Sequence, residues 1–400
     1  IDYSNDTATA AAKGPLSSAR NYISATSASE NALPTDTGIL TLFNPASSVR
    51  ENVTPQGFDT GYFGGGDPKS TVERIDFSND TETAVVKGPL TSSKEMMGGV
   101  SSANHGYFGG GGPAASAIST VDRIDYANDT PTASTKGPLS LARRELSGTG
   151  NSSFGYFVGG RQIGAYSRVD RVDYSNDTAT AATKGPLAAS DYQTRAATGN
   201  QDFGYVAGGL SKTTIDRIDY SNDTATATVK GPLSTARARA AATGNASFGY
   251  VGGGNTPSLS TIDRIDYSND TATASPKGLL SVERYQLSAT GNQSFGYFGS
   301  GSRPAGPLSL IDRIDYSNDT ATASVRGPLA SGTNSELTAV SSRANAIPLK
   351  GPGNLEVPVA FGAFSVTGLT SVGTDFGYFG GGSPAKSTVD RIDYGNDTAT

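Results

Sequence analysis

The stretch "TVDRIDYANDTPTASTKGPLS", residues 120–140, recurs with small changes along the whole chain. Copies of its "IDY" core, which also reads "VDY" or "IDF", begin at residues 1, 75, 124, 172, 218, 265, 314 and 392. Five of the seven intervals between these starts measure 46 to 49 residues. Repetition with a period of about 20–50 residues is the sequence signature of solenoids and propellers.

One unit of the repeat predicts four short β-strands. Residues 144–150, "RELSGTG", and 153–160, "SFGYFVGG", are joined by a short turn and are typical of a hairpin. Residues 168–174, "RVDRVDY", alternate as a third strand, and "SND" supplies turn residues. Residues 178–187, "TATAATKGPL", predict a fourth strand that ends at a Gly-Pro pair.

Four strands per unit predict an all-β fold, a β-propeller of four-stranded blades. The "GY" pair of the second strand occurs seven times, as does the "KGPL" phrase with small changes, whereas the "IDY" phrase occurs eight times. We therefore expect a seven-bladed ring over residues 1–400, in which one terminal copy completes the last blade and removes an open edge. A β-helix is the alternative, but a unit of about 48 residues would need two unlike coils.

The order of these motifs resembles the kelch repeat. Arg143, Tyr156, the pair Gly159-Gly160, Tyr174 and Asp177 occupy places that match the kelch pattern, although small residues replace its tryptophan. The near-identical "FGYFGGG" and "DRIDYSNDTATA" arrays also resemble repeat proteins of marine cyanobacterial phage virions. These resemblances imply a kelch-like propeller at an extracellular or virion surface.

Composition excludes several classes of function. The chain has no cysteine, so disulfides, thiolate metal sites and cysteine nucleophiles are excluded. A net charge of −6 disfavours nucleic acid as a partner, because phosphate binding needs a basic face. No apolar run approaches the roughly 18 residues of a membrane span, so we expect no membrane insertion.

An arginine flanked by two acids recurs in the third strand. A ring of ligand-binding charges is one interpretation, but a group needed once would not be required in every blade. We therefore expect a structural ring of ion pairs between adjacent blades, because arginine binds carboxylates through paired hydrogen bonds. Its members are Arg74, Arg123, Arg171, Arg217, Arg264, Arg313 and Arg391.

The material for catalysis or for a cofactor is sparse. The "DYSND" turn offers calcium the oxygens of Asp173, Asn176 and Asp177, but it lacks a glycine-hinged loop with a bidentate glutamate. The single histidine, His105, stands where other copies have phenylalanine. We expect no metal, no organic cofactor and no enzymatic activity.

Two hypotheses of function remain. The first is a structural or adhesive propeller, such as a virion fibre or tail-associated protein, whose partners are other virion or fibre subunits, itself or a host-surface glycan. The second is a carbohydrate-binding or carbohydrate-cleaving propeller, in which unique aromatic and acidic residues should converge on one face.

Two insertions, residues 27–57 and 341–375, interrupt the repeats at the same hairpin position. Their apolar runs predict a protrusion, because exposed apolar patches mark interaction sites. We expect the two insertions to do both: to pack on each other as a small extra sheet and to dock another virion subunit or a second copy of the chain. The residues at the centre of the protrusion are Ile39, Leu42, Phe43, Val357, Phe361 and Phe364.

Removal of divalent metal tests the expected absence of a structural ion. Because the turn oxygens are too few for calcium, EDTA should leave the melting temperature unchanged in a thermal scan. A fall of several degrees that added calcium reverses would instead establish the calcium interpretation of the "SND" turns.

Overall fold

Six four-stranded antiparallel sheets, here called blades 1 to 6, make up most of the described structure. The computed structural model describes residues 24–27, 59–67, 69–113, 116–190, 196–210, 212–255, 257–332, 334–347, 376–380 and 389–393. The chain divides into two compact units: Val53–Gly353, which contains the blades, and Ile1–Asn52 together with Asn354–Thr400. No helix in the described ranges is long and apolar enough to cross a membrane.

The four strands of each blade are named a to d in their spatial order, and neighbouring strands are antiparallel. Blade 1 contains Thr338–Ser341, Thr60–Gly64, Val72–Asp76 and Val85–Lys87. Blade 2 contains Gly98–Ser101, His105–Gly109, Val121–Asp125 and Ser134–Lys136. Blade 3 contains Arg144–Gly150, Phe154–Arg161, Val169–Asp173 and Ala182–Lys184.

The remaining blades follow the same order. Blade 4 contains Ala196–Gly199, Phe203–Ala207, Ile215–Asp219 and Thr228–Lys230. Blade 5 contains Ala241–Gly244, Phe248–Gly252, Thr261–Asp266 and Ser275–Leu279. Blade 6 contains Ser288–Gly291, Phe295–Gly299, Ile311–Asp315 and Ser324–Arg326, with a small hairpin at Ser302–Arg303 and Gly306–Pro307. Short 3-10 helices occupy Tyr174–Asn176, Tyr220–Asn222, Tyr267–Asn269, Tyr316–Asn318 and Ala344–Ala346.

The a strands lie innermost and close the ring. Each contacts the a strands of the two neighbouring blades, in the order 1 to 6 and back to 1. Blade 1 takes its a strand from the far end of the unit: Thr338–Ser341 pairs with Thr60–Gly64, and Val340 lies opposite Tyr62. The first blade is thereby completed by a late segment, which covers an edge that would otherwise be open.

The predicted number of seven blades is wrong, because the ring has six. The prediction counted each "GYF" strand as one blade. The last of these strands, Phe376–Gly380, instead pairs with Ser24–Ser27 and Val389–Asp393 in a three-stranded sheet of the other unit. Ser24–Ser27 is therefore not the a strand of blade 1, although it precedes that blade in sequence.

The predicted protrusion falls almost entirely outside the described residues. Of the insertions 27–57 and 341–375, the structure describes only residue 27 and residues 341–347. The apolar residues assigned to the centre of the protrusion lie outside this part, so the protrusion remains a prediction.

Hydrophobic clusters lie between blades as well as within them. Between blades 2 and 3, Val100 and Tyr107 pack with Phe157 and Val172. The rings of Tyr107 and Phe157 are fully buried. Burying a large apolar side chain contributes about 1.5–3 kcal/mol, so each blade depends on its neighbours for much of its core.

The glycine of the "KGPL" phrase marks a close approach between adjacent blades. In blade 2, the Gly137 N–H donates to the Asp177 carbonyl of blade 3 at 2.8 Å. A Cβ atom at Gly137 would lie 1.8 Å from the Ala179 carbonyl oxygen, which is far inside van der Waals contact. The phrase therefore needs glycine because the next blade's backbone occupies the space of a side chain.

Gly137→Ala tests this contact. The added methyl group forces the two blades apart, and overpacking of this kind costs about 1–3 kcal/mol. Denaturant unfolding should show that loss of stability. Gly164→Ala is the matched control, since nothing lies within 4 Å of the Cβ position there; equal stability of the two variants would contradict the close approach.

Candidate functional site at the propeller axis

The aspartate of each "NDT" turn in the ring accepts bonds from three side chains of the preceding blade. Asp177 of blade 3 accepts from Tyr107 Oη at 3.0 Å, Arg123 Nη1 at 2.7 Å and Lys136 Nζ at 3.3 Å. The same arrangement recurs at every junction between blades. Its acceptors are Asp80, Asp129, Asp177, Asp223, Asp270 and Asp319.

The structure brings six of the seven predicted arginines to these acceptors, at 2.7 or 2.8 Å. They are Arg74, Arg123, Arg171, Arg217, Arg264 and Arg313. The side chain of Arg391 lies outside the described residues. The partner is an aspartate of the next blade rather than either acid that flanks the arginine in sequence.

Stacked rings accompany these ion pairs. The "GYF" tyrosine of one blade lies against the aromatic ring of the next blade's "IDY" phrase. For Tyr156 and Tyr220 the centroids are 4.8 Å apart and the planes differ by 12°. At the junction of blades 6 and 1, Phe77 takes the second position and stacks on Tyr297 at 4.6 Å. Stacked aromatic pairs add about 0.5–1.5 kcal/mol beyond the area they bury.

The two acids that flank the arginine have separate contacts, which sequence reasoning missed. The first, Asp170 in blade 3, is fully buried and pairs with Arg143 at 2.9 Å. Equivalent buried pairs are Lys94–Asp122, Arg237–Asp263 and Arg284–Asp312. A basic residue shortly before or at the start of the a strand in blades 2, 3, 5 and 6 was the available signal, but its neighbours vary too much to form a phrase.

The second flanking acid stabilises its own turn. Asp173 Oδ1 accepts from Ser175 N at 2.9 Å and Ser175 Oγ at 2.6 Å, and these bonds lower the pKa of Asp173. Asp173 and Asp177 are two of the three residues considered for calcium, and the protein itself engages their carboxylates. No group of three or more His, Cys, Asp or Glu side chains in the described part of the chain is placed to hold a metal ion.

Electrostatics at the blade junction favour the charged aspartate. Burial alone would raise the pKa of Asp177, but the bonds from Tyr107 and Arg123 and the charge of Lys136 outweigh it, so the pKa lies below its usual value. Burial also raises the pKa of Tyr107 well above its ordinary value. The tyrosine therefore remains a neutral donor and the aspartate a charged acceptor at neutral pH.

A set of residues near the axis differs from blade to blade. In five blades a non-glycine residue with φ between 54° and 61° stands just before the a strand or, in blade 3, at its second residue; the equivalent position in blade 4 lies outside the described residues. Non-glycine residues seldom adopt this left-handed conformation. These axial residues are Met96, Glu145, Arg239, Gln286 and Glu336.

Backbone hydrogen bonds link the axial residues around the ring. Met96 N donates to Glu336 O at 3.2 Å, and Glu145 N donates to Met96 O at 2.8 Å. Gln286 N donates to Arg239 O at 2.8 Å, and Glu336 N donates to Gln286 O at 3.0 Å. Because these links use only main-chain atoms, the side chains are free to differ.

A cavity of about 40 Å³ lies among the axial side chains. Its polar wall contains Glu145, Arg239, Gln286 and Glu336. Its apolar wall contains Met96, Met97, Ala240, Leu287 and Leu337. Sequence reasoning missed this site, since it considered the repeated charges and the two insertions, and not the single variable residues at the a strands.

Two acids at and near the axial cavity, Glu336 and Glu95, have raised pKa values. Burial raises the pKa of Glu336 to about 7; Glu95 and Glu145 act in the same direction, and Arg239 opposes them. Gln286 Nε2 donates to Glu336 Oε1. Burial also raises the pKa of Glu95, which Arg144 partly offsets. The site therefore gains negative charge as the pH passes through 7.

Comparison with known proteins supports the fold. No family model matches the sequence, and no curated protein matches it significantly. Among solved structures, the structure of YjhT is similar, with a TM-score of 0.56 and 12% sequence identity over 67% of this chain and 95% of that one. At this identity the likeness shows the β-propeller fold alone.

Asp177→Asn tests the junction between blades 2 and 3. The substitution removes the charge that Arg123 and Lys136 share, and the cost should be about 2 kcal/mol, less than the 3–5 kcal/mol of a fully buried pair, because Arg123 is partly exposed. Since folding lowers the pKa of Asp177, its contribution is complete above about pH 4 and is lost as the pH falls through the folded pKa. Denaturant unfolding at neutral and acid pH measures both effects.

Asp202→Asn is the matched control for this variant. Asp202 is exposed in a hairpin turn, and the substitution changes the net charge equally. Stability should stay within about 0.5 kcal/mol of the parent protein. Equal stability of both variants and the parent protein at pH 7 would show that the Asp177 carboxylate does not stabilise the junction.

Proposed function

We propose that this protein is a non-enzymatic structural and adhesive β-propeller of an extracellular or virion surface, where it mediates assembly or attachment to a host surface. In this proposal the repeats are kelch-like and belong to a virion fibre or tail-associated protein. The partners are other virion or fibre subunits, a second copy of the chain, or a host-surface glycan.

The observation that carries the proposal is that the repeated charged residues bind across the junctions between blades. At each junction between the described blades, a tyrosine, an arginine and a second basic residue of one blade bind the aspartate of the next; the second basic residue is a lysine except at the closing junction, where it is Arg326. Side chains that make the same contact at every junction stabilise the ring and do not form a single catalytic site. The repeated phrase is therefore best explained as the framework of a rigid scaffold.

The outer edge of the ring offers surfaces for repeated contact. Valines stand at the middle of the d strand in three blades, with 55%, 56% and 54% of their surface exposed; they are Val86, Val229 and Val325. Similar groups repeated on one rigid body suit multivalent attachment, in which weak contacts add to a strong one.

The two insertions are the proposed specific contact. They depart from the repeat and carry the apolar residues Ile39, Leu42, Phe43, Val357, Phe361 and Phe364. Loss of a central apolar anchor at an interface costs about 2 kcal/mol or more, or more than about tenfold in affinity.

Serine substitution of Ile39, Phe43, Phe361 and Phe364 together tests this assignment. Association measured by analytical ultracentrifugation, or attachment measured on native particles by electron microscopy, should weaken by at least about tenfold while the ring stays folded. Ile163→Ser is the control, because Ile163 is 96% exposed in a loop of the ring. Unchanged association and attachment in the quadruple variant would remove the insertions from the proposed interface.

Carbohydrate binding is the second candidate, and the axial site is the observation in its favour. Two glutamates, Glu145 and Glu336, line the cavity, whereas the equivalent residues of the other described blades are not acids. Aromatic residues, which stack on sugar rings, are absent from the described wall of that cavity. A glycan array that gives specific binding, lost on Glu145→Gln, would favour this candidate over the first.

A further inference from the structure

One buried carboxylate at the axis has a hydrogen-bond partner for only one of its two oxygens. Glu145 has 4% of its surface exposed, and its Oε1 accepts from Arg161 Nη2 at 2.7 Å. Its Oε2 is buried and has no hydrogen-bond partner among the described residues. A buried acceptor without a partner costs about 1–3 kcal/mol, and more when it is charged. Its position in the wall of the axial cavity indicates a missing donor.

The cavity is suited to a small group with both polar and apolar parts. Its volume of about 40 Å³ accommodates roughly three waters or one short functional group. Its lining includes the acids Glu145 and Glu336 and the apolar side chains of Leu287, Leu337 and Met96. A ligand here would bring donors to the acids and hydrocarbon to the leucines.

The hydrogen bonds that the two acids already accept favour one kind of donor in the ligand. Glu145 and Glu336 each have one carboxylate oxygen already bonded, to Arg161 and Gln286 respectively. A guanidinium binds best to both oxygens of one carboxylate, so neither acid offers it a complete partner. An ammonium group is a compact charge with three donors and no acceptor, and it bonds to single oxygens.

We propose that the axial cavity binds a primary alkylammonium group, which donates to Glu145 Oε2 and packs its methylene stem against Met96, Leu287 and Leu337. A lysine side chain carries both the ammonium and the methylene stem, and an amino sugar carries the ammonium group on a sugar ring. This proposal rests on residues of the ring and not on residues of the insertions, and it goes beyond the proposed scaffold role, so either assignment can fail without the other.

The charges around the cavity define its pH dependence. The acids are Glu95, Glu145 and Glu336, and the bases are Arg144, Arg161 and Arg239. Among the acids, Glu336 titrates near pH 7, and an alkylammonium stays charged through this range. Affinity should therefore rise as the pH increases from about 6 to about 8 and Glu336 loses its proton.

The methionine content of the chain provides a direct readout. The protein has two methionines, Met96 and Met97, and both line the cavity. Methyl-labelled methionine therefore gives two NMR signals that both report on this site. Titration with n-butylammonium should shift them saturably, whereas methylguanidinium, acetate and calcium should not. Nα-acetyl-lysine methylamide and glucosamine, compared in the same assay, distinguish a protein lysine from an amino sugar as the source.

Three variants complete the test. Glu145→Gln should weaken n-butylammonium binding by at least about tenfold, because it removes the charged acceptor. Arg239→Gln should strengthen binding, because it removes the opposing cation, and this gain does not depend on the fold of the first variant. Glu283→Gln, an equal charge change at an exposed residue outside the cavity wall, is the control and should bind as the parent does.

The proposal is overturned if n-butylammonium leaves both methionine signals unmoved at pH 8. It is overturned equally if calcium or acetate produces the saturable shift instead, or if Glu145→Gln binds n-butylammonium as tightly as Glu283→Gln does.

Discussion

The ring depends on one contact, a buried aspartate that receives a tyrosine, an arginine and a lysine from the blade before it. At Asp223 these donors are Tyr156 at 3.0 Å, Arg171 at 2.8 Å and Lys184 at 3.1 Å. The donors come from strands b, c and d of one blade, and the acceptor comes from the turn of the next. A single carboxylate therefore fixes the position of three strands, and a shift of the blade breaks all three bonds.

This contact explains why the phrase is repeated so closely. Each copy acts as donor toward one neighbour and as acceptor toward the other, so a change in one copy must suit two junctions. The junction that closes the ring tolerates limited change: Asp80 receives Tyr297 and Arg313 as elsewhere, but Arg326 replaces the lysine. The axial residues face no such requirement, since main-chain bonds link them, and there the sequence departs from the repeat.

Local features of the fold could be predicted from the sequence, whereas features set by distant segments could not. The four strands, their hairpins and the arginine contacts between blades follow from alternation and turn chemistry within one unit. The number of blades depends on whether Thr60–Gly64 pairs with Ser24–Ser27 or with Thr338–Ser341, and both candidates are short strands of similar composition. Closure of the ring selects the late strand, and no sequence pattern within one unit predicts that closure. Glu145 and Glu336 belong to no phrase, so their meeting at the axis appears only once the blades are arranged around it.

If contacts between blades make the ring one cooperative unit, native-state hydrogen exchange will detect the opening of one junction throughout the ring. The measurement compares the parent protein with Asp80→Asn, which removes the carboxylate charge that Arg313 and Arg326 bind at the closing junction of blades 6 and 1. We expect amide protection to fall by a similar factor in the b strands of all six blades, because opening one junction opens the ring. Loss of protection confined to blades 6 and 1, with blades 3 and 4 unchanged, would contradict this expectation.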